Sequence, residues 1–150
     1  MPGLTTDDEL AIRNLVARYA DAVCRRDATS WTATWAPDST WEVGSVTTHG
    51  PAEARAFWQS ALAKYPWLVQ VVASGEVFEG ETGPRGVWYV VELQQVEDGN
   101  VRMVVGRYED RYVNHAGRWA FASRRFQMTY RGERGPAEVT PLAAALAAPS

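Results

Sequence analysis

The chain has 150 residues, a single cysteine and a formal net charge of −3 at pH 7. This length favours one domain with a sizeable core, and no apolar run reaches the roughly 18 residues that a membrane-spanning helix needs. One cysteine cannot form an internal disulfide, and acidic residues lie among most of the basic ones, which argues against nucleic-acid binding. The N-terminus lacks a basic stretch followed by an apolar one. We therefore expect a cytoplasmic protein that binds neither nucleic acid nor membrane.

The first predicted element is an amphipathic helix. Thr6 and Glu9 fit a capping box at its start, and apolar residues recur at helical spacing over residues 12–23. Tyr19 lies in the predicted buried stripe, which makes it a candidate pocket hydroxyl. Cys24 lies about 140° away from Tyr19 on an ideal helix. It is by default a small buried apolar side chain, and the alternative is a reactive thiol.

Two further helices and a short strand follow. Asp27 is expected to cap a short helix that continues through Trp35. Residues 40–46 are predicted to form a strand with Trp41 on one face. Gly50-Pro51 opens the third helix, because proline is favoured at the first helical position.

After residue 66 the pattern changes to long strands that are rich in valine and aromatic residues. Four strands are predicted, over residues 69–79, 86–97, 101–113 and 118–131. Asp98-Gly99 is a hairpin turn signal between the second and third of them. Helices followed by strands indicate an α+β fold, with three N-terminal helices packed on a curved, mainly antiparallel sheet that encloses a pocket. We predict one domain over residues 1–133 and an Ala/Pro-rich tail over residues 134–150.

Motifs for cofactors and metals are missing from the sequence. It contains no glycine-rich phosphate-binding loop, no CxxC pair and no GxSxG or HExxH motif. The two histidines, His49 and His115, have no ligand spacing. We therefore expect no cofactor and no metal. Acid–base chemistry would then depend on a tyrosine, an arginine, a carboxylate or the thiol.

Polar candidates lie on the last two predicted strands. Strict alternation gives one face of the last strand the series Trp119, Phe121, Ser123, Arg125, Gln127 and Thr129. Arg125 is then a candidate anchor for a carbonyl group or an anion, unless it forms a salt bridge to Asp110 or Glu92. Asp110, which shares a face with Tyr108 and Tyr112, is a candidate base if burial raises its pKa. The alternative for Asp110 is an ordinary cross-strand pair.

Seven tryptophans are an unusual number for a chain of this length. A buried indole N–H needs a hydrogen-bond partner, so the tryptophans either fill the core and interfaces or line an apolar ligand cavity. The residues predicted to bind a small hydrophobic substrate are Trp35, Trp41, Gln70, Tyr108, Trp119, Phe121 and Gln127.

Five segments follow one another in a specific order: RYADA, WAPDSTWE, HGPAEARAFW, GRYEDRY and GRWAFASRRF. This order resembles the SnoaL-like branch of the nuclear transport factor 2-like superfamily, and the resemblance covers residues 4–130. It implies a cone-shaped α+β barrel with a deep apolar pocket between the sheet and the helices. It also implies assembly into homodimers or homotrimers.

The resemblance also suggests a chemistry. Lyases of this group, such as scytalone dehydratase, bile acid 7α-dehydratase and hexachlorocyclohexane dehydrochlorinase, act on small hydrophobic ring compounds. They use a helix aspartate paired with a histidine at the start of the first long strand, helped by a tyrosine or lysine on the helix and in some cases by a last-strand arginine. Tyr19 matches the tyrosine, and Arg125 matches the arginine.

The aspartate–histidine dyad has no counterpart in this chain. The aspartate position falls on Cys24, with Asp27 as the alternative if the register slips. The histidine position falls on Gln70, or on Val71 with a one-residue shift. The missing dyad favours cyclisation or rearrangement by shape and hydrogen bonding over proton-abstracting dehydration.

Three functions are compatible with these observations. The first is a cofactor-free lyase, isomerase or cyclase for a small hydrophobic cyclic metabolite, polyketide-like or steroid-like. In that enzyme Tyr19 donates a hydrogen bond and Arg125 orients the substrate, and Asp110 or Cys24 is the base. The second is a non-catalytic binding protein for an apolar small molecule. The third is a structural protein similar to the small subunits of ring-hydroxylating dioxygenases.

Overall fold

Three helices pack against one face of a six-stranded sheet in the computed structural model, which describes residues 3–134. The helices are α1 (Thr6–Arg25), α2 (Ala28–Thr32) and α3 (Gly50–Leu62). The strands are β1 (Trp35–Val43), β2 (Val46–His49), β3 (Trp67–Gly80), β4 (Gly83–Gln95), β5 (Val101–His115) and β6 (Arg118–Arg134). No helix within the described range has the length and apolar character to span a membrane.

The sheet is mixed and open. Its strand order is β2-β1-β6-β5-β4-β3, with β1 and β6 parallel and the other neighbours antiparallel. The predicted α+β class is confirmed, as are its three helices and four long strands. The sheet does not close into a barrel, because β2 and β3 remain as edges. The predicted C-terminal tail lies outside the described residues, apart from Arg134 at the end of β6.

The capping box of α1 lies one residue earlier than predicted. Thr5 is the N-cap: the Asp8 backbone N–H donates to Thr5 Oγ1 at 3.1 Å, and the Thr5 backbone N–H donates to the Asp8 carboxylate at 3.1 Å. Thr5 and Thr6 are each followed three residues later by an acid, so the sequence pattern fits two registers equally well.

The second helix is shorter than predicted, and Trp35 lies outside it. Asp27 caps α2 as expected, since its carboxylate accepts a hydrogen bond from Ser30 N at 3.0 Å. The helix ends at Thr32, and Trp35 begins β1 instead. The pairing of β1 with β6 is irregular between Trp35 and Thr40. This stretch contains Pro37, which has no N–H to donate and is tolerated at such an irregularity.

Aromatic side chains fill much of the core between the helices and the sheet. Trp31 of α2 stacks on Trp58 of α3, with 4.7 Å between the ring centroids. Tyr19 of α1 packs edge-on against Phe121 of β6 at 5.5 Å, and Trp35 lies 5.4 Å from Phe121. Rings from every helix and from two central strands therefore meet in one cluster, which fixes α1 and its tyrosine against the sheet.

An extra residue in β6, Ala122, interrupts the pairing with β5. A bulge of this kind shifts the alternation of side chains by one position. Phe121 and Arg124 consequently both face the interior, with 0% and 1% of their surface exposed, whereas Arg125 is exposed on the outer face. The prediction of one continuous face over residues 119–129 is therefore wrong beyond Phe121.

Candidate active site

A cavity of about 240 Å³ lies between the helices and the inner face of the sheet. Apolar side chains from α1, α3 and β3 form part of its wall, among them Val23, Phe57 and Leu68. Polar groups reach it mainly from neighbouring strands: Gln70 of β3, Glu92 and Gln94 of β4, and Tyr108 of β5. Tyr19 of α1 also lines this space. The polar groups of the sheet therefore face an apolar wall across a small volume.

Glu92 is the one carboxylate among the described residues that line the cavity. It pairs directly with Gln70 across the β3–β4 ladder. Gln70 Nε2 donates to Glu92 Oε2 at 3.0 Å, and Gln94 Nε2 donates to Glu92 Oε1. Within residues 3–134, Glu92 forms no ion pair with an arginine or a lysine. Burial raises the pKa of Glu92, and the two amide donors oppose this effect.

Two buried tyrosines present hydroxyl groups to the cavity. Tyr19 and Tyr108 pack edge-on with 6.1 Å between their ring centroids, and Gln70 Nε2 donates to the Tyr108 hydroxyl oxygen at 3.2 Å. Burial raises the pKa of Tyr19, and it raises the pKa of Tyr108 well above its ordinary value, although the charge of Arg124 opposes both shifts. Both phenols therefore keep their protons at neutral pH and can act as hydrogen-bond donors.

Arg124 and Asp110 form a fully buried ion pair beneath these tyrosines. Arg124 Nε and Nη2 donate to the two Asp110 oxygens at 2.8 and 2.9 Å, and the Tyr112 hydroxyl donates to Asp110 at 2.8 Å. The Arg124 guanidinium lies over the rings of Tyr108 and Tyr19, 3.8 and 4.3 Å from their centroids. Asp110 does not line the cavity. The prediction that Asp110 is a free base is contradicted, because Arg124 neutralises its charge.

Arg125 does not share a cavity with Tyr19. Its side chain is 58% exposed on the outer face of the sheet, where it lies 3.6 Å from the Glu42 carboxylate. Gln127 also lies away from the cavity and accepts a hydrogen bond from Arg107 at 3.5 Å. The predicted roles of Arg125 as substrate anchor and of Gln127 as a binding residue are therefore wrong, because the bulge at Ala122 reverses the facing of this part of β6.

The two positions that the family resemblance assigns to the dyad are neighbours in the structure. Gln70 N donates to Cys24 Sγ at 3.3 Å, and Cys24 Sγ donates to Gln70 O at 3.5 Å. Cys24 therefore attaches α1 to the backbone of β3 and does not line the cavity, which contradicts its predicted role as a base. The alternatives fit less well, since Asp27 caps α2 and Val71 is 50% exposed.

The remaining predicted binding residues divide between three places. Trp41, Gln70 and Tyr108 line the cavity. Phe121 belongs to the aromatic core and has no exposed surface. Trp35 and Trp119 line a separate, open groove of about 650 Å³ between α1, α2 and the start of β6. The predicted contacts of Trp35, Trp119 and Phe121 with a ligand in the cavity are therefore wrong, because packing within the core or at the groove places these rings elsewhere.

Three important residues were missed by the sequence predictions. Glu92 and Gln94 follow Trp88 and Val90 at two-residue spacing, and Trp88 and Val90 are both buried. Alternation along β4 therefore contained the signal that Glu92 and Gln94 face inward. Arg124 carried no such signal, because strict alternation placed it on the opposite face.

The histidines are both exposed, His49 before α3 and His115 at the end of β5. In the part of the chain that the structure describes, no group of three or more His, Cys, Asp or Glu side chains is placed to hold a metal ion.

Comparison with known proteins places this architecture in a family. No curated protein matches the chain. Among solved structures, a type 2 hexachlorocyclohexane dehydrochlorinase is similar with a TM-score of 0.81 at 18% identity, over 90% of this chain and 94% of that one. The LinA-type3 dehydrochlorinase of Novosphingobium barchaimii LL02 has a TM-score of 0.79 at 18% identity, over 90% and 95% of the two chains.

A proposed scytalone dehydratase from Novosphingobium aromaticivorans is also similar. It has a TM-score of 0.76 at 15% identity, over 91% of this chain and 100% of that one. At such identities these structures establish the fold. A family model for the SnoaL-like domain matches residues 5–125, and the chain therefore belongs to the SnoaL-like family.

Proposed function

We propose that this protein is a cofactor-free lyase or isomerase that acts on a small hydrophobic cyclic compound in the cavity between the helices and the sheet. The observation that carries the proposal is the arrangement of the cavity, in which the Tyr108 phenol and a partly buried carboxylate face an apolar wall. Solved structures with a similar fold are named as a hexachlorocyclohexane dehydrochlorinase and a proposed scytalone dehydratase. Both names denote elimination reactions, of hydrogen chloride and of water.

The volume of the cavity limits the size of the substrate. Its volume of about 240 Å³ is below the roughly 300–1,000 Å³ that is typical of sites for drug-sized ligands. A compound of one or two rings suits this volume, whereas a four-ring steroid would require the helices to move away from the sheet. We therefore favour the smaller of the predicted substrate classes, a mono- or bicyclic compound with a carbonyl or hydroxyl group.

The tyrosines supply the electrostatic part of the chemistry. When a proton leaves the carbon next to a carbonyl group, negative charge develops on the carbonyl oxygen. The Tyr108 hydroxyl keeps its proton at neutral pH and can donate a hydrogen bond to that oxygen. A pre-oriented donor next to an apolar wall stabilises such a charge more strongly than water does. Arg124 strengthens this donor, since its positive charge lies against the Tyr108 ring.

Hydrogen exchange into a bicyclic ketone tests the proposal. We expect the protein to accelerate deuterium incorporation at the α-carbon of 2-tetralone in D₂O, measured by mass spectrometry. Tyr108→Phe should lower the rate about 10²–10³-fold, as expected for loss of one oxyanion donor. Arg125→Ala is the matched control and should leave the rate unchanged, because Arg125 is exposed on the outer face.

The binding-protein alternative gives a different result in the same experiment. Its support is the replacement of the family dyad by Cys24 and Gln70, which removes the usual base. Binding of 2-tetralone is followed through tryptophan fluorescence, because Trp41 and Trp58 line the cavity. Binding without any acceleration of exchange would favour a non-catalytic carrier and contradict the lyase or isomerase function.

A further inference from the structure

We infer that Glu92 is the catalytic base of this site and that Gln70 and Gln94 are the residues that position it. The inference rests on the proposed function, because it assigns the proton acceptor of that reaction. It differs from the aspartate–histidine arrangement that the family resemblance implies, since the carboxylate comes from strand β4 and its partners are neutral amides.

Two amide side chains hold both carboxylate oxygens of Glu92 in place. Gln70 approaches from β3 and Gln94 from the same strand two residues later, so each oxygen accepts one amide N–H. Both glutamines are 7% exposed, and their rotamers are therefore restricted by packing. Cys24 fixes the backbone of Gln70 from the helix side. A carboxylate held in this way is pre-oriented toward a ligand that lies between Tyr108 and the apolar wall.

The side-chain amides of Gln70 and Gln94 both direct their N–H groups toward Glu92. Gln70 Nε2 donates to both Glu92 and Tyr108, and the Oε1 atoms of Gln70 and Gln94 have no hydrogen-bond partner among the described residues. Buried acceptors without partners are uncommon and mark strained or functional places. The amide N–H groups of Gln70 and Gln94 thus donate to the Glu92 carboxylate, while the amide oxygens of both glutamines have no partner among the described residues. This arrangement is expected where an ionised Glu92 must be stabilised without a cation.

The partly buried Glu92 and the fully buried Asp110 differ in their partners, which shows why Glu92 can accept a proton and Asp110 cannot. Asp110 is bound by both Nε and Nη2 of Arg124, so protonation would break a buried ion pair. Glu92 has neutral donors only, and its burial in an apolar site favours the protonated form. A base whose proton affinity is raised toward neutrality is better matched to proton transfer at physiological pH.

The other titratable groups around the cavity are consistent with this assignment. They are Tyr19 of α1, Tyr65 after α3, Tyr108 of β5 and Arg131 of β6. Tyr19 and Tyr108 are kept protonated by burial, so they donate hydrogen bonds and do not compete for the proton. Arg131 is exposed and forms no ion pair with Glu92 among the described residues.

The proposed proton transfer needs no reactant other than the substrate and Glu92. A Glu92 carboxylate oxygen takes the proton from the carbon next to the substrate carbonyl, and the C–H electron pair moves into an enolate whose oxygen accepts from Tyr108. In an isomerisation the same proton returns to a different carbon. In an elimination the enolate expels the leaving group with its electron pair, and the proton on Glu92 passes to that group, which regenerates the carboxylate. In D₂O the protonated Glu92 exchanges with solvent and returns a deuteron.

The substitution Glu92→Gln tests the inference. It keeps the shape, and one flipped amide restores the hydrogen bonds to Gln70 and Gln94. We expect 2-tetralone exchange to fall about 10²–10⁴-fold, the usual contribution of a general base, with binding by tryptophan fluorescence unchanged. Glu92→Asp should recover part of the rate, because it restores a carboxylate at a greater distance. In wild-type protein with carbon-13 glutamate, added 2-tetralone should shift the Glu92 carboxyl resonance.

The possible outcomes separate this inference from the proposed function. Wild-type exchange that persists unchanged in Glu92→Gln would overturn the base and leave the function standing. A Glu92 resonance that does not respond to bound 2-tetralone would also overturn it, independently of any turnover. Wild-type protein that binds 2-tetralone without accelerating its exchange would contradict the proposed function. The assignment of Glu92 as the base would then be rejected as well.

Discussion

Replacing Asp110 with asparagine is expected to lower the free energy of unfolding by about 3–5 kcal/mol, the usual effect of removing one partner of a buried ion pair. The reason is that Arg124 would remain charged and 1% exposed without a counter-ion. The Arg124 Nη1 atom already lacks a partner among the described residues. Urea denaturation followed by tryptophan fluorescence measures the change.

Two controls define what this loss means. The double variant Asp110→Leu/Arg124→Met removes both charges and is expected to recover most of the lost stability, because apolar replacements of a buried pair are often neutral. Arg125→Met breaks the exposed contact with Glu42 and should change the stability by no more than about 0.2–1 kcal/mol. A similarly small loss in Asp110→Asn would contradict the account, because it would show that Arg124 does not need Asp110 as its buried counter-ion.

Glu92→Gln is expected to increase the free energy of unfolding at neutral pH by about 0.5–2 kcal/mol, as stabilising substitutions in active sites commonly do. Burial raises the pKa of Glu92 above its ordinary value of 4.5, so ionisation costs the folded state more than the unfolded state. Wild-type stability should therefore fall as the pH rises from 4.5 through the folded-state pKa. The amide variant lacks this ionisation and should not show that loss.

Thermal unfolding of both proteins across this pH range measures the effect. The difference between variant and wild type is expected to be smallest at low pH and to grow toward neutrality. Glu109→Gln is the matched control, because Glu109 lies half-buried on the outer face beside Arg107. A variant that is less stable than the wild type at neutral pH would mean that the two amides stabilise ionised Glu92 by more than its burial costs.

The fold could be predicted because its signals are local and repeated. The periodicity of α1, the proline that opens α3 and the hairpin turn at Asp98-Gly99 each determine a short segment without reference to the others. The order of these segments then identified the family. The boundaries were less accurate, since Thr5 and Thr6 fit the same cap and Pro37 did not prevent β1 from beginning at Trp35.

The candidate site was harder to predict, because a shift of one residue in the pairing of β5 with β6 decides which side chains face inward. The bulge at Ala122 exchanges Arg125 for Arg124 on the inner face, and nothing in the alternating pattern of β6 marks it. The assignment of Asp110 as a base failed for the same reason, because its neutralising partner was placed on the wrong side. Glu92 could have been found from the buried positions that precede it in β4. It was considered only as a possible salt-bridge partner for Arg125.

In the proposed site the cavity contains a carboxylate, Glu92, that burial makes more basic and that no cation among residues 3–134 neutralises. Carbon-13 NMR titration of the Glu92 carboxyl resonance, assigned by its loss in Glu92→Gln, tests this claim most directly. We expect the resonance in the free protein to titrate with a pKa above 4.5 and to titrate higher still when 2-tetralone excludes water from the cavity. A pKa at or below 4.5 in both states would contradict the account.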